Sequence, residues 1–240
     1  MADASAPHRI NEIAKRIGAR SYLEIGVQSG KTFFNVELPL KVAVDPQFLF
    51  DYRKYQSNEV QFYNCTSDNF FASLSSSTKF DLVFLDGFHT FDQTYRDFCN
   101  TLLCTHERSI IIIDDTMPND YYSTLRSQDV CIYRRKHEAP GSSIGDWRGD
   151  VFKILLFLNL FHSSLGFVTI NDNGPEQTVV CRKGEYKALD QFFLPSISGD
   201  RYNLLLEYLY RLKSIDFNWL LENKDIFNIH TLDQFISRLE

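Results

Sequence analysis

Short apolar runs alternate with amphipathic segments along the first half of the chain. Five such runs predict strands at 21–25, 41–44, 60–63, 80–85 and 109–113. Between them, apolar residues at helical spacing predict helices at 8–18, 30–36, 67–74 and 91–103. Strands that alternate with helices form a parallel sheet, and strands that are apolar throughout are buried on both faces.

The second half begins with a long excursion at 116–147 that is interrupted by proline and glycine. A helix is predicted at 151–161. Two further strands, at 167–170 and 178–181, flank the sequence Asn-Asp-Asn-Gly, which is typical of a hairpin turn. A hairpin at the end of a parallel sheet adds two antiparallel strands, so the chain is expected to form seven strands in all.

The chain is helical and aromatic in pattern after residue 186. An amphipathic helix is predicted at 201–213, with one side formed by Leu204, Leu205, Tyr208, Leu209 and Leu212. We therefore predict an α/β fold with a doubly wound, mostly parallel seven-stranded sheet and a C-terminal antiparallel hairpin. The main domain is expected at residues 1–183 and a helical C-terminal extension at 184–240; any self-association is expected to use these C-terminal helices.

Charge and hydrophobicity argue against two classes of partner. The net charge is −6, and no cluster of Lys and Arg is larger than Arg134-Arg135-Lys136, so we expect no nucleic-acid binding. The longest apolar stretch, 151–161, contains Lys153 and is shorter than the roughly 20 residues that a bilayer requires, so we expect no membrane partner. The expected partner is a small molecule or a glycan.

Cysteine usage predicts a reducing compartment. The five cysteines are odd in number and none has Cys-x-x-Cys spacing. Residues 1–10 contain no apolar run of the kind found in signal peptides. We therefore expect a cytoplasmic protein with free thiols.

Acidic residues stand at the ends of four predicted strands. Glu24 lies in the first strand, Asp45 follows the second, Asp86 follows the fourth, and Asp114 and Asp115 follow the fifth. In open α/β sheets, ligands bind beyond the carboxyl ends of the strands. The four acidic ends are therefore expected to face one crevice.

The loop after the first strand, residues 26–32 (GVQSGKT), leaves several ligands open. It ends in Gly-Lys-Thr like a phosphate-binding P-loop, and Asp86 would then match the acid that holds magnesium. However, only three residues separate Gly26 from Gly30, where a P-loop has four before its Gly-Lys-Thr. A dinucleotide-binding loop requires a middle glycine that is missing here.

The pattern Glu-x-Gly-x-x-x-Gly resembles motif I of class I S-adenosylmethionine-dependent methyltransferases. Residues 81–89 (DLVFLDGFH) resemble motif IV of that family, and residues 64–68 (NCTSD) resemble its loop that meets adenine. The resemblance covers residues 20–183 and implies S-adenosylmethionine as cofactor, with Asp45 on the ribose hydroxyls. The implied cofactor-binding residues are Glu24, Gly26, Gly30, Asp45, Ser67 and Asp86.

The strand-end acids resemble those of metal-dependent O-methyltransferases of the catechol and macrolide-sugar type. That resemblance implies a divalent cation such as Mg²⁺ on Asp86, Asp114 and Asp115, because magnesium prefers few hard oxygen ligands. Three crowded carboxylates without a cation would repel each other. The catalytic residues would be Asp86 and His89, with neutral His89 accepting the hydroxyl proton.

Residues 145–153 resemble a segment of bacterial methyltransferases encoded with glycan-building genes, with Asp150 as a helix N-cap and Trp147 over the pocket. The expected function is methyl transfer to a hydroxyl of a sugar or small polyol. The alternatives are a metal-free methyltransferase acting on nitrogen or carboxylate, a P-loop-like nucleotide-binding enzyme that uses Lys31, and a scaffold that binds cofactor without transfer.

Overall fold

A computed structural model describes residues 6–172, 174–194 and 199–239. These residues form one sheet in the order β3-β2-β1-β4-β5-β7-β6-β8. The strands are β1 (Ser21–Ile25), β2 (Leu40–Val44), β3 (Val60–Tyr63), β4 (Phe80–Leu85), β5 (Thr105–Ile113), β6 (Leu165–Ile170), β7 (Gln177–Arg182) and β8 (Ile229–His230).

Helices cover both faces of the sheet. They are α1 (Ala6–Ile17), α2 (Ser67–Ser73), α3 (Phe91–Leu103), α4 (Gln128–Glu138), α5 (Ile154–Phe161), α6 (Gly199–Tyr210), α7 (Phe217–Glu222) and α8 (Leu232–Ile236). On one face, Val83 and Ile111 of the sheet pack with Phe98 of α3 and Leu155 of α5. The opposite face is covered by α1 and α8, whose buried side chains pack against alternate residues of the same strands.

The doubly wound topology is confirmed. Strands β1 to β5 are parallel, and β7 pairs antiparallel with both β5 and β6. The described sheet has one strand more than the seven predicted, because β8 pairs with β6 through two residues, Ile229 and His230. Two residues are too few for a hydrophobic pattern to indicate a strand.

The prediction of a helix at 30–36 is wrong. Gly30 has a φ of +78°, and the segment forms only a 3₁₀ turn at Phe33–Asn35. Phe33 and Phe34 instead join an aromatic cluster: their ring centroids lie 5.2 Å and 6.4 Å from the ring of Phe62 on β3. Side-chain packing therefore overrides the helical spacing of this segment.

The excursion at 116–147 contains α4, whose first turn is capped by the hydroxyl of Ser127, which accepts a hydrogen bond from the backbone N–H of Val130. The predicted amphipathic helix at 201–213 corresponds in part to α6, but the side chains of Leu204, Leu205, Tyr208 and Leu209 lie outside the described residues.

All five cysteines are free thiols. In the described parts of the chain, every helix is too short or too polar to cross a bilayer.

Candidate active site

A cleft of about 760 Å³ opens at the carboxyl ends of β1, β2 and β4. The sheet ladder continues into the residues that follow the strands, because Asp45, Asp86 and Asp114 each donate their backbone N–H to a neighbouring strand. Their side chains are thereby fixed at one edge of the sheet. Five of the six predicted cofactor-binding residues line the cleft: Glu24, Gly26, Asp45, Ser67 and Asp86.

The two glycines of the loop after β1 have different roles. Gly26 has a φ of +89°, and a Cβ there would lie 1.8 Å from the carbonyl oxygen of Asp86, so glycine permits the loop to touch the end of β4. Gly30 is buried and does not line the cleft; a Cβ there would lie 2.5 Å from the ring of Phe34. Gly30 therefore shapes the loop from behind.

Asp45 is almost fully buried and held by two backbone donors. Its Oδ2 accepts a hydrogen bond from the N–H of Gln28 at 2.7 Å, and its Oδ1 accepts one from the N–H of Gln47 at 2.7 Å. Gln28 adopts a φ of +47° in doing so. Each carboxylate oxygen has a further acceptor site, so the geometry leaves Asp45 able to accept from two ribose hydroxyls.

Glu24 is buried on β1, and its Oε2 accepts a hydrogen bond from the hydroxyl of Tyr22 at 2.6 Å. Burial raises the pKa of the Glu24 carboxyl well above its ordinary value, although the Tyr22 hydrogen bond acts in the opposite direction. The neutral acid is therefore favoured. As a neutral acid, Glu24 can donate as well as accept toward the cleft.

Asp86, His89 and Asp115 form a compact group at the β4–β5 side of the cleft. His89 Nε2 lies 3.6 Å from Asp86 Oδ1, and His89 Nδ1 lies 2.9 Å from Asp115 Oδ2. One ligand atom from each residue falls within 4.8 Å of the others, close enough to hold one metal ion. Asp115 reaches this position with a φ of +58°.

The same geometry makes His89 a cation. Burial opposes protonation, but hydrogen bonds from the ring to Asp115 and Asp86 outweigh it and raise the pKa of His89 to about 11. Burial raises the pKa of Asp86 to about 6, and His89 acts against that rise. An imidazolium between two carboxylates has no lone pair with which to accept a proton, so a base role for His89 requires another cation at these carboxylates.

Asp114, the third predicted metal ligand, lies outside that three-residue group. Its Oδ1 is buried and has no hydrogen-bond partner among the described residues. Burial, followed by the nearby charges of Asp86 and Asp115, raises the pKa of Asp114 well above its ordinary value. The structure thus places three carboxyl groups side by side, with the ligand role of Asp114 left as a prediction.

The segment at 145–150 holds His89 from the side. The Trp147 ring stacks on the His89 ring, with centroids 4.8 Å apart and an angle of 12° between the planes. Gly149 has a φ of +61°, and a Cβ there would lie 1.6 Å from the carbonyl oxygen of His89. Any side chain at position 149 would therefore displace His89.

The sequence predicts that Asp150 caps the helix that follows it, and this prediction is wrong. Its side chain makes no cap hydrogen bond there and instead accepts from the backbone N–H of Phe91 at 2.8 Å, at the first turn of α3. Arg126 and Lys153 also donate to this buried carboxylate, at 2.9 Å and 3.0 Å. Asp150 thus ties the 145–150 segment to the helix that begins beside His89.

Two cleft residues on α3, Gln93 and Asp97, were missed from sequence. Gln93 Nε2 donates to Asp97 Oδ1 at 3.0 Å and to Ser67 Oγ at 3.2 Å. Burial raises the pKa of Asp97 to about 6, against hydrogen bonds from Ser67 and Gln93. No sequence signal marked Asp97, because the apolar residues of α3, such as Phe91 and Phe98, lie on another side of a helix with 3.6 residues per turn.

Residues 23–116 match the family model described as a methyltransferase domain. No curated protein sequence matches the chain significantly. A solved structure of an O-methyltransferase from Bacillus cereus in complex with S-adenosylhomocysteine is 14% identical, with a TM-score of 0.50, and the match covers 75% of this chain and 83% of that one.

A second solved structure, from Klebsiella pneumoniae and also named as an O-methyltransferase, is 15% identical with a TM-score of 0.50; the match covers 75% of this chain and 82% of that one. At these identities the likeness concerns the fold. The matched segment runs from residue 23, within β1, to just past the end of β5 and contains all the strand-end acids. Residues 23–116 are therefore similar to a methyltransferase domain, in agreement with the resemblance of the motifs.

Proposed function

We propose that this protein is an O-methyltransferase that transfers the methyl group of S-adenosylmethionine to a hydroxyl of a sugar or small polyol, assisted by a divalent cation. The observation that carries the proposal is the group formed by Asp86, His89 and Asp115 at one side of the cofactor cleft. The names of the Bacillus cereus and Klebsiella pneumoniae structures support an oxygen acceptor.

The donor set fits a divalent cation. Asp86 and Asp115 offer hard oxygen ligands in the small number that magnesium uses in proteins. The unpartnered Oδ1 of Asp114 adds a third carboxyl beside them, and such crowding favours a bound positive charge. When bound, the cation would hold the acceptor oxygen and favour its alkoxide form.

The chain's own residues supply position and proton transfer. Asp45 orients the ribose, and the segment at 145–150 fixes the His89 ring. Held reactants can gain on the order of 7–11 kcal/mol of barrier reduction. His89 accepts the hydroxyl proton once Asp86 and Asp115 are neutralised by a charge other than its own.

The acceptor class is supported by Phe88, which lines the cleft between Asp86 and His89 and is 64% exposed. An exposed aromatic ring offers a face on which the C–H face of a sugar can stack. The neighbouring carboxylates accept hydrogen bonds from sugar hydroxyls. A sugar or polyol ring has an apolar C–H face and hydroxyl donors at its rim, so an aromatic face beside several acceptors complements it.

The test is methyl transfer from labelled S-adenosylmethionine to a panel of sugars and polyols, with Mg²⁺ or with excess chelator. We expect transfer with Mg²⁺, loss of transfer with chelator, and a melting temperature that changes little. Electron paramagnetic resonance should also show Mn²⁺ binding that Asp115→Asn weakens, whereas Asp51→Asn, at an exposed residue paired with Lys54, leaves it intact. Transfer to nitrogen or carboxylate acceptors alone would contradict the proposal.

A second candidate function, a metal-free methyltransferase, is favoured by one specific observation. His89 already bridges Asp86 and Asp115 as an imidazolium, so the group is neutralised in part without any metal. Under this alternative, excess chelator leaves transfer unchanged and Mn²⁺ does not bind. The two candidates therefore give opposite results in the same assay.

A further inference from the structure

The cofactor cleft carries unlike groups at its two ends. Lys31 lines one end; among the cleft-lining residues, all within the described ranges, it is the only Lys or Arg. No acceptor for its ammonium occurs in the described part of the chain. The adjacent Phe33 belongs to the apolar cluster on the α1 face of the sheet. This end can therefore pair with an anionic group.

The opposite end is formed by Ser67, Gln93 and Asp97. Phe70 and Phe98, close to them on α2 and α3, belong to the apolar cluster on the other face of the sheet. Asp97 is only 2% exposed although it lines the cleft. A carboxyl, an amide and a hydroxyl meet here through hydrogen bonds of 3.0 Å and 3.2 Å.

These two ends set the direction in which S-adenosylmethionine can lie. Its amino-acid end has a carboxylate, which Lys31 can pair with and which Asp68 and Asp97 at the opposite end would repel. His89, the other cation at the cleft, is already paired with Asp86 and Asp115. The adenine then lies toward Ser67, Gln93 and Asp97. Adenine presents an exocyclic amino group, a hydrogen-bond donor, and a carboxylate is the acceptor that binds such a donor most strongly.

We propose that Asp97 and Gln93 are specificity-determining residues that recognise the adenine amino group of the cofactor. Asp97 accepts the hydrogen bond, and Gln93 holds that carboxylate in place from one turn earlier on α3. The cleft thereby selects a 6-aminopurine over a 6-oxopurine, an inference that rests on the proposed function.

The experiment compares two ligands by calorimetry: S-adenosylhomocysteine, and S-inosylhomocysteine, in which oxygen replaces the adenine amino group. Wild-type protein should bind the adenosyl compound at least about tenfold more tightly, because an unmatched buried acceptor costs affinity. Asp97→Asn, whose amide can donate to the 6-oxo group, should reduce this preference about tenfold. Gln93→Met should reduce it less, and Asp92→Asn, on the exposed side of α3, should not change it.

The preference, not the affinity alone, decides the outcome. If both variants lose affinity for the two ligands equally, Asp97 and Gln93 are structural and the inference is overturned. Gln93→Met keeps the test valid if Asp97→Asn does not fold. If wild-type protein binds neither ligand, the proposed function itself fails, and this result is distinct from an unchanged preference.

Lys31→Met tests the direction of the cofactor. It should weaken S-adenosylhomocysteine about tenfold and leave 5′-methylthioadenosine, which lacks the amino-acid end, unchanged. Equal losses for the two ligands would place the carboxylate elsewhere and overturn the assignment of the adenine end.

Discussion

The two acidic sides of the cleft differ in how their carboxylates are supported. Asp45 accepts one backbone N–H on each oxygen, at 2.7 Å and 2.7 Å. On the other side, Asp86 and Asp115 share one histidine, and Asp114 has an oxygen with no partner in the described structure. Backbone N–H donors that the fold already holds in place stabilise the charge of a carboxylate directly. Crowded carboxylates repel each other and require a nearby positive charge to remain ionised.

The difference indicates what each side binds. Asp45 is prepared for neutral hydroxyls, because its charge is already compensated and its remaining acceptor sites face the cleft. The group at Asp86 is prepared for a cation or a proton. Under the proposed function, binding and chemistry are separated along one sheet edge, and substitutions on the two sides should affect different measurements.

The largest effect is expected from His89→Ala. General-base catalysis contributes about 10²–10⁴ in rate, so kcat for methyl transfer should fall by that factor. S-adenosylhomocysteine affinity should change little, because Asp45 lies on the other side of the cleft. The matched control is His137→Ala, at an exposed histidine on α4. A variant His89→Ala with wild-type kcat would show that this histidine only neutralises its two neighbours.

Asp45→Ala should show the reverse pattern. Loss of hydrogen bonds to a charged acceptor costs roughly 1.5–3 kcal/mol each, so calorimetry should find S-adenosylhomocysteine bound at least about tenfold more weakly. Asp45→Asn, which keeps one acceptor, should lose less. Mn²⁺ binding at the other side should persist, and its loss in Asp45→Ala would mean that the two sides are not independent.

A smaller effect is expected at Asp97, which has side-chain donors only. Its pKa in the folded protein is about 6, above the ordinary 3.8, so the folded state holds the proton more tightly. Without cofactor, stability should therefore fall by about 2 kcal/mol as pH rises from 4 to 7. Urea unfolding of wild-type protein and Asp97→Asn across this range measures the difference; parallel stability curves would show that Asp97 does not titrate in this way.

The positions of the site residues along the sheet were predictable from sequence. Strands β1 to β7 were visible as apolar runs, whereas the two-residue β8 was not. The parallel arrangement of β1 to β5 requires that residues after such runs meet at one edge. Asp45 and Asp86 were found in this way, as was the hairpin that ends the sheet. These features depend on local patterns and on topology, both of which the sequence contains.

The contacts between distant segments were not predictable. Asp150 caps α3 rather than its own helix, which requires knowledge of how residues 145–150 fold back over His89. The predicted helix at 30–36 failed because packing around Phe62 decided the local structure. The protonation of His89 depends on Asp115, which lies 26 positions further along the chain. The spacing of residues in the sequence does not reveal that these two side chains are in contact.

The pairing of β8 with β6 has a consequence for synthesis on the ribosome. The outer edge of β6 receives its partner from residues 228–230, through hydrogen bonds between Thr169 and Asn228 and between Asn171 and His230. About 60 residues must therefore be translated after β6 before that edge is covered. During this interval the nascent chain presents an open strand edge, the kind of surface that pairs with other chains, and chaperone binding is expected to matter most then.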